Sequence, residues 1–191
     1  SFTLQGIAVP EPYFSQLREM RRAAGDPQAD AVPPHVTLMP PTEVAEGLIP
    51  AFTAHLHDVA RDFAPFDMIL RGTGTFRPTS PVVFVQLAQG VDSCEQLESA
   101  VRSGPIGRDL EFRYHPHVTI AHHVDDGALT HAFEVNKHYE AAFTVSEFHL
   151  YFQEDDGVWS PVESFTLQGI AVPEPYFSQL REMRRAAGDP Q

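Results

Sequence analysis

Pro34-His35-Val36-Thr37-Leu38 and Pro116-His117-Val118-Thr119-Ile120 spell one short motif twice, Pro-His-Val-Thr followed by a branched aliphatic residue. The two histidines stand 82 positions apart in a chain of 191 residues. Side chains alternate between faces along a β-strand. If each motif is a strand, His35 and Thr37 share one face, while Val36 and Leu38 occupy the buried one. His117 and Thr119 do likewise over Val118 and Ile120. One His-x-Thr on a strand is commonplace and reads as an ordinary polar pair. Two copies in the same proline-flanked setting point to one shared site.

Outward from the motifs, the chain reads as interspersed strands and helices. Phe2–Val9 alternates like a strand, and Pro10 and Pro12 lead into a helix with Tyr13, Phe14, Leu17 and Met20 at helical spacing and Gly25 as its cap. His35–Met39 is a short strand closed by Pro40-Pro41. A helix over Glu46–Asp62 carries Leu48, Ile49, Phe52, Leu56, Val59 and Phe63 on one stripe. Strands follow at Phe66–Thr75 and Val82–Leu87, joined by the turn-rich segment 77–81. Then come a helix over Ser93–Arg102, a strand over Glu111–Ile120 and a weaker helix over Asp126–Tyr139. Two strands, Phe143–Phe152 and Val158–Leu167, close the pattern around the acidic turn at 154–157. No strict βαβ alternation is present, so the expected class is α+β, with helices covering antiparallel sheets.

Residues 1–28 recur letter for letter as residues 164–191, which leaves 163 unique residues, enough for one domain with a sizeable core. Ordinary structural repeats drift apart and usually number three or more. This one reads as an artefact or a very recent duplication, or, alternatively, as a segment exchanged between protomers. The working division is a single domain over 1–163 and a copied segment over 164–191, of which Ser164–Leu167 complete the last strand. A monomer is expected, with a swapped dimer as the alternative.

Net charge narrows the partners. A formal charge of −13 opposes tight binding to long polyphosphates, whose affinity comes from Lys and Arg. No apolar run approaches the ~20 residues of a membrane span. The opening residues lack the order of a signal peptide. Cys94 is the one cysteine, so no intrachain disulfide can form and a reducing, cytoplasmic setting is expected.

Two opposed histidines form a complete acid–base set for phosphoryl transfer. A neutral imidazole takes a proton from the attacking hydroxyl or water, and a protonated one delivers a proton to the departing oxygen. An ordinary pKa of about 6.5 suits both roles. The two threonine hydroxyls can donate to non-bridging phosphate oxygens as charge builds. The scheme calls for no metal and no cofactor.

With these motifs, their separation and the opening strand Gln5-Gly-Ile-Ala-Val9 followed by Pro10-Glu-Pro12, the chain resembles the 2H phosphoesterases, which include bacterial 2′–5′ RNA ligase and cyclic phosphodiesterase-like proteins. The resemblance extends over nearly all the unique residues. It implies a bilobal α+β fold, two antiparallel sheets with helices outside and a central cleft, each lobe giving one His-x-Thr. It also implies metal-independent attack on 2′,3′-cyclic phosphates or related 2′–5′ phosphodiesters. His35 and His117 become the catalytic acid–base pair, and Thr37 and Thr119 the phosphate ligands. Members of the family often carry an arginine shortly after a motif, whereas here Met39-Pro-Pro41 and Ala121-His-His123 follow. That departure and the acidic balance point to a small nucleotide or another compact cyclic phosphate, with RNA termini as the largest nucleic-acid partner. Hydrolysis is favoured over ligation.

Around the second motif, Arg113, Tyr114 and His115 are further candidates for substrate binding. Arg113 shares a strand face with His117 and could meet phosphate, or pair with Glu111. Tyr114 and Tyr13 could stack on a base or belong to the core. His115 is a neighbour at spacing two. Two rival functions remain: a non-catalytic nucleotide-binding module of the same fold, and a metal-dependent hydrolase using His55, His57, His115, His117, His122 and His123 with Asp125 and Asp126. Against the metal, His55 and His57 sit on a helix, where spacing two faces opposite sides, and the matched threonines are left without a role.

The first copy of the repeated segment is tethered close to His35 and is expected to take the structural slot. In limited trypsin digestion, Arg18, Arg21 and Arg22 should be cut later than their counterparts Arg181, Arg184 and Arg185. Equal protection of the two sets would defeat this expectation.

Overall fold

In a computed structural model, which describes residues 1–170 together with 182, 183 and 186, the chain forms eight strands and four α-helices among the described residues. They run β1 (Phe2–Ala8), α1 (Tyr13–Ala23), β2 (His35–Glu43), α2 (Ile49–Asp62), β3 (Phe66–Thr75), β4 (Val83–Gln89), α3 (Val91–Arg102), β5 (His117–Ala121), α4 (Asp126–Val135), β6 (Glu140–Val145), β7 (Glu147–Gln153) and β8 (Trp159–Thr166). Two four-stranded antiparallel sheets result, ordered β2-β1-β7-β8 and β5-β4-β3-β6. Each His-x-Thr strand is the edge of its own sheet, and the two edges, β2 and β5, pack against each other. The α+β, two-sheet architecture expected from the sequence is the one observed.

The helices knit the lobes together. From the first lobe α1 lies on β5, and from the second α3 lies on β2, while α2 packs on α3 and β8. One continuous apolar core results, running from Ile7, Leu38 and Phe148 of the first sheet through Leu17, Phe52 and Leu97 to Leu70, Val85 and Ile120 of the second. The stripe on α2 buries Phe52, Leu56 and Val59 as its 3.6-residue period requires. Leu48 is instead exposed, because it belongs to a short 3-10 turn (Glu46–Leu48) ahead of the helix.

Several boundaries differ from the sequence reading, each for a physical reason. β2 runs on through Pro40 and Pro41 to Glu43. As an edge strand it needs no outward amide donor there, and its register with β1 slips between Thr3 and Gln5 to accommodate the two prolines. Conversely, the strand expected over Glu111–Ile120 exists only from His117. Pro116 has no amide proton, and Tyr114 is drawn to the other lobe, where its hydroxyl donates to the Thr37 carbonyl at 2.7 Å. The run Phe143–Phe152 is not one strand. It breaks at Ser146 into β6, paired with β3, and β7, paired with β1, so one continuous β-prone stretch serves both sheets. The fourth helix stops at Val135, where Asn136 Nδ2 donates back to the Ala132 carbonyl.

The first copy of the repeated segment supplies β1 and α1, and β1 lies between β2 and β7 inside its sheet. Ser164, Phe165 and Thr166 of the second copy end β8, paired with His149, Phe148 and Glu147. Most of the second copy, from residue 171 onward, lies outside the described residues, and with it the expectation for its helix.

Phe52 has no exposed surface, and its ring joins core residues contributed by both lobes. Phe52→Ala should lower the unfolding free energy by about 3–5 kcal/mol, measured by urea denaturation. A loss under about 1 kcal/mol would mean that the core does not close around this ring.

Candidate functional site

Both motif histidines are oriented by the same local device. His35 Nδ1 lies 2.7 Å from the Pro33 carbonyl oxygen, and His117 Nδ1 lies 2.6 Å from that of His115. A carbonyl can only accept, so Nδ1 carries the proton in each ring, and Nε2 of the neutral imidazole is left with its lone pair. In the first motif Thr37 Oγ1 lies 3.0 Å from His35 Nε2 and donates to it. Pro34 and Pro116, one residue ahead of each ring, stiffen the turn from which the carbonyl points back. The alternation expected of the strands holds, with Val36, Leu38, Val118 and Ile120 in the core and the His-x-Thr pairs on the opposite face.

A cavity of about 160 Å³ lies between the lobes, lined by His35, Thr37, His117 and Thr119 together with Arg21, His122 and Trp159. The rings are backed differently. His35 lies across β1, where a Cβ on Gly6 would come within 3.0 Å of its Cδ2. His117 is held edge-on by Phe76, centroids 4.9 Å apart, and packs on Phe84 at 5.0 Å. Phe84 in turn needs Gly74 beneath it, since a Cβ there would stand 2.6 Å from the phenyl ring. Phe76 and Phe84 thus pack against the second motif histidine itself.

Burial sets the protonation of both rings. It lowers the His35 pKa below its ordinary value near 6.5, and the Arg21 guanidinium adds to the effect. Burial likewise brings His117 down to about 4, with His115 and His35 contributing in the same direction. At neutral pH both imidazoles are therefore uncharged.

Arg21, on α1, had no role in the sequence reading. Its Nε donates to Asp26 Oδ2 at 2.7 Å, and the same carboxylate oxygen accepts the His122 backbone N–H at 2.9 Å, which ties α1 to the end of β5. The arginine side chain is 10% exposed and the aspartate fully buried. A signal was available: Arg21 follows Leu17 by four residues and so falls on the buried stripe of an amphipathic helix, an unusual place for a lone cation.

Arg113, Tyr114, His115 and Tyr13 fall outside the cavity lining. Arg113 is not on a strand; its side chain is 91% exposed and sits 3.8 Å from Glu95. Tyr114 is spent on its bond to the Thr37 carbonyl, and burial raises its pKa. His115 is exposed, edge-on to Phe76 and Phe84. Tyr13 packs on Phe143. The residues of the metal alternative are dispersed among separate partners. His55 Nε2 donates to the Ala100 carbonyl at the end of α3, His57 Nε2 meets Glu163 at 2.8 Å, and the His122 and His123 rings stack at 3.8 Å. Asp125 caps α4 and Asp126 pairs with Arg77. Among the described residues no three His, Cys, Asp or Glu side chains form a group that could hold a metal ion. Nor is any helix among them long and apolar enough to cross a membrane.

Comparison with known proteins bears directly on this arrangement. The family model described as the 2′–5′ RNA ligase superfamily matches residues 9–157. A Bacillus licheniformis protein with a provisional phosphoesterase name is 27% identical over 163 residues, spanning 84% of this chain and 96% of its own. A similarly named protein of Geobacillus kaustophilus is 29% identical over 167 residues, spanning 86% and 96%. Among solved structures, TT0787 of Thermus thermophilus superposes with a TM-score of 0.65 at 23% identity, covering 90% of this chain and all of that one. E. coli LigT complexed with 3′-AMP does so with a TM-score of 0.61 at 19% identity, covering 86% and 97%. With a family match over most of its length, on a fold shared with these structures, the chain belongs to the 2′–5′ RNA ligase superfamily, the 2H phosphoesterases.

Proposed function

We propose that the protein is a metal-independent phosphodiesterase that opens a small 2′,3′-cyclic phosphate, or cleaves a related 2′–5′ phosphodiester, with His35 and His117 as its general acid–base pair. The observation that carries this reading is the pairing of two Nδ1-anchored imidazoles on one cavity, each with its threonine on the same face. A phosphate between them draws a proton onto one ring, because an anion at hydrogen-bond distance restores the charged form that burial disfavours. The remaining neutral Nε2 takes a proton from water as its oxygen attacks phosphorus. The P–O bond to one ribose oxygen breaks, and the charged ring gives its proton to that oxygen. Thr37 and Thr119 donate to the non-bridging oxygens while negative charge grows there.

Cavity size supports a compact substrate. Sites that enclose a whole drug-sized ligand measure on the order of 300–1,000 Å³, and this one holds about 160 Å³. It suits the phosphate and the edge of the sugar, with the base outside. LigT, which shares the fold, has been crystallised with 3′-AMP, NADP+ and ATP, and a small nucleotide is the class we assign here. The cytoplasm is the compartment we assign to it.

Incubation with the four nucleoside 2′,3′-cyclic monophosphates, followed chromatographically, should show ring opening that chelators do not abolish. His35→Ala and His117→Ala should each reduce the rate by about 10²–10⁴. Full activity in either variant would refute the assignment, activity lost to chelator and restored by zinc would favour the metal reading, and binding without turnover would leave a nucleotide-binding module.

Protonation has a second consequence. Both histidine pKa values lie lower in the folded chain than in the unfolded one, so below pH ~6.5 the unfolded chain takes up protons that the folded chain refuses. Their contribution to stability is complete above pH ~6.5 and is lost as pH falls through the His117 value of about 4. The melting temperature should therefore drop across this window, and His117→Gln should flatten the drop. The pH profile of kcat/KM should be bell-shaped with its maximum on the acid side of 6.5, because that ratio reports the free enzyme.

A further inference from the structure

Both imidazoles are neutral in the free protein and the chain as a whole is strongly acidic, so the cavity needs some other source of attraction for an anion. Of the described side chains that line it, only one, Arg21, is permanently charged. Its guanidinium is held through Nε by the buried carboxylate of Asp26, and among the described residues neither of its Nη groups donates to a protein acceptor. The planar fork is thus fixed on one edge and free on the other, the form in which arginine binds phosphate through two parallel hydrogen bonds. Asp26 also accepts from the His122 backbone N–H, so the cation is locked against the end of the strand that carries His117 and Thr119.

We propose that Arg21 is the fixed phosphate-binding cation of this site, holding the non-bridging oxygens of the substrate between the two imidazoles. The inference rests on the phosphodiesterase reading for its substrate but not for its anion. Neither His-x-Thr motif is followed closely by an arginine, since Pro40-Pro41 and His122-His123 stand there. Arg21 reaches the site from α1, one helix earlier in the chain than the first motif. The same charge depresses the His35 pKa in the free protein, so a bound phosphate does two things at once. It neutralises Arg21, and it allows an imidazole to take the proton that the general acid requires.

The test uses the full chain and inorganic phosphate as the probe, with binding measured by calorimetry and histidine titration followed by proton NMR. Arg184, the counterpart of Arg21 in the repeated segment, is changed along with it in every variant, so that exchange of segments cannot restore the cation. Arg21→Gln with Arg184→Gln should weaken phosphate binding by tenfold or more, raise KM for a cyclic nucleotide, and move the His35 titration upward. Arg21→Lys with Arg184→Lys should keep the His35 titration low and weaken phosphate binding several-fold, because an ammonium cannot hold Asp26 from one nitrogen and phosphate from two others. Unchanged phosphate affinity in the glutamine variant overturns the proposal, as does unchanged affinity in the lysine variant should the glutamine variant fail to fold. Phosphate binding by the parent without turnover of any cyclic nucleotide would instead sink the phosphodiesterase reading and leave the role of Arg21 standing.

Discussion

Each motif imidazole is aimed by one hydrogen bond, from Nδ1 to a carbonyl two residues earlier in its own chain. That bond selects the tautomer, turns Nε2 toward the space between the lobes and costs the sheet nothing, since the rings sit at the first residues of edge strands. Because the device is local, the chain can use it twice without any resemblance between the surrounding loops. Everything else in the architecture serves to bring the two edges together. The helices that cross from one lobe to the opposite edge strand, and the single core beneath both sheets, hold β2 against β5. A cavity formed at such a seam is only as rigid as the seam.

The electrostatics of the cavity follow from the same placement. Rings on the inner face of a seam lose water, and lost hydration disfavours the imidazolium. Two neutral bases would be an inert pair, and the buried Arg21–Asp26 pair changes that. A lone buried arginine would be costly, but its carboxylate partner and the His122 amide satisfy one edge of the site. The opposite edge remains polar and open to an anion. In the mechanism we propose, the ligand supplies the charge that the two buried rings lack. The aromatic backing of His117 by Phe76 and Phe84 keeps water from relieving its desolvation.

Much of this was legible in the sequence, and the failures are instructive. The paired His-x-Thr strands, the amphipathic face of α2 and the α+β class follow from alternation and helical period, which are properties of a few consecutive residues. Arg113 was misplaced because even spacing preserves a face only within a strand, and Pro116 together with the pull of Tyr114 toward Thr37 takes that segment out of the sheet. The run from Phe143 to Phe152 could not be divided by pattern, since β6 and β7 have the same local character and differ only in the strands they pair with. Arg21 escaped because its meaning comes from Asp26 and from residues a hundred positions away.

The repeated segment separates the two kinds of information cleanly. Ser1-Phe2-Thr3 and Ser164-Phe165-Thr166 are the same three residues, and both lie at a strand end. Yet Phe2 is exposed with Thr3 buried, whereas Phe165 is fully buried with Thr166 exposed. By itself, the sequence determined that these residues extend and alternate, and likewise that each motif presents an imidazole and a hydroxyl together. Which face meets the core, and whether two such faces meet each other, was decided only by the tertiary structure. The reason is physical: alternation is a property of backbone geometry over neighbouring residues, while burial depends on which distant strand happens to lie alongside.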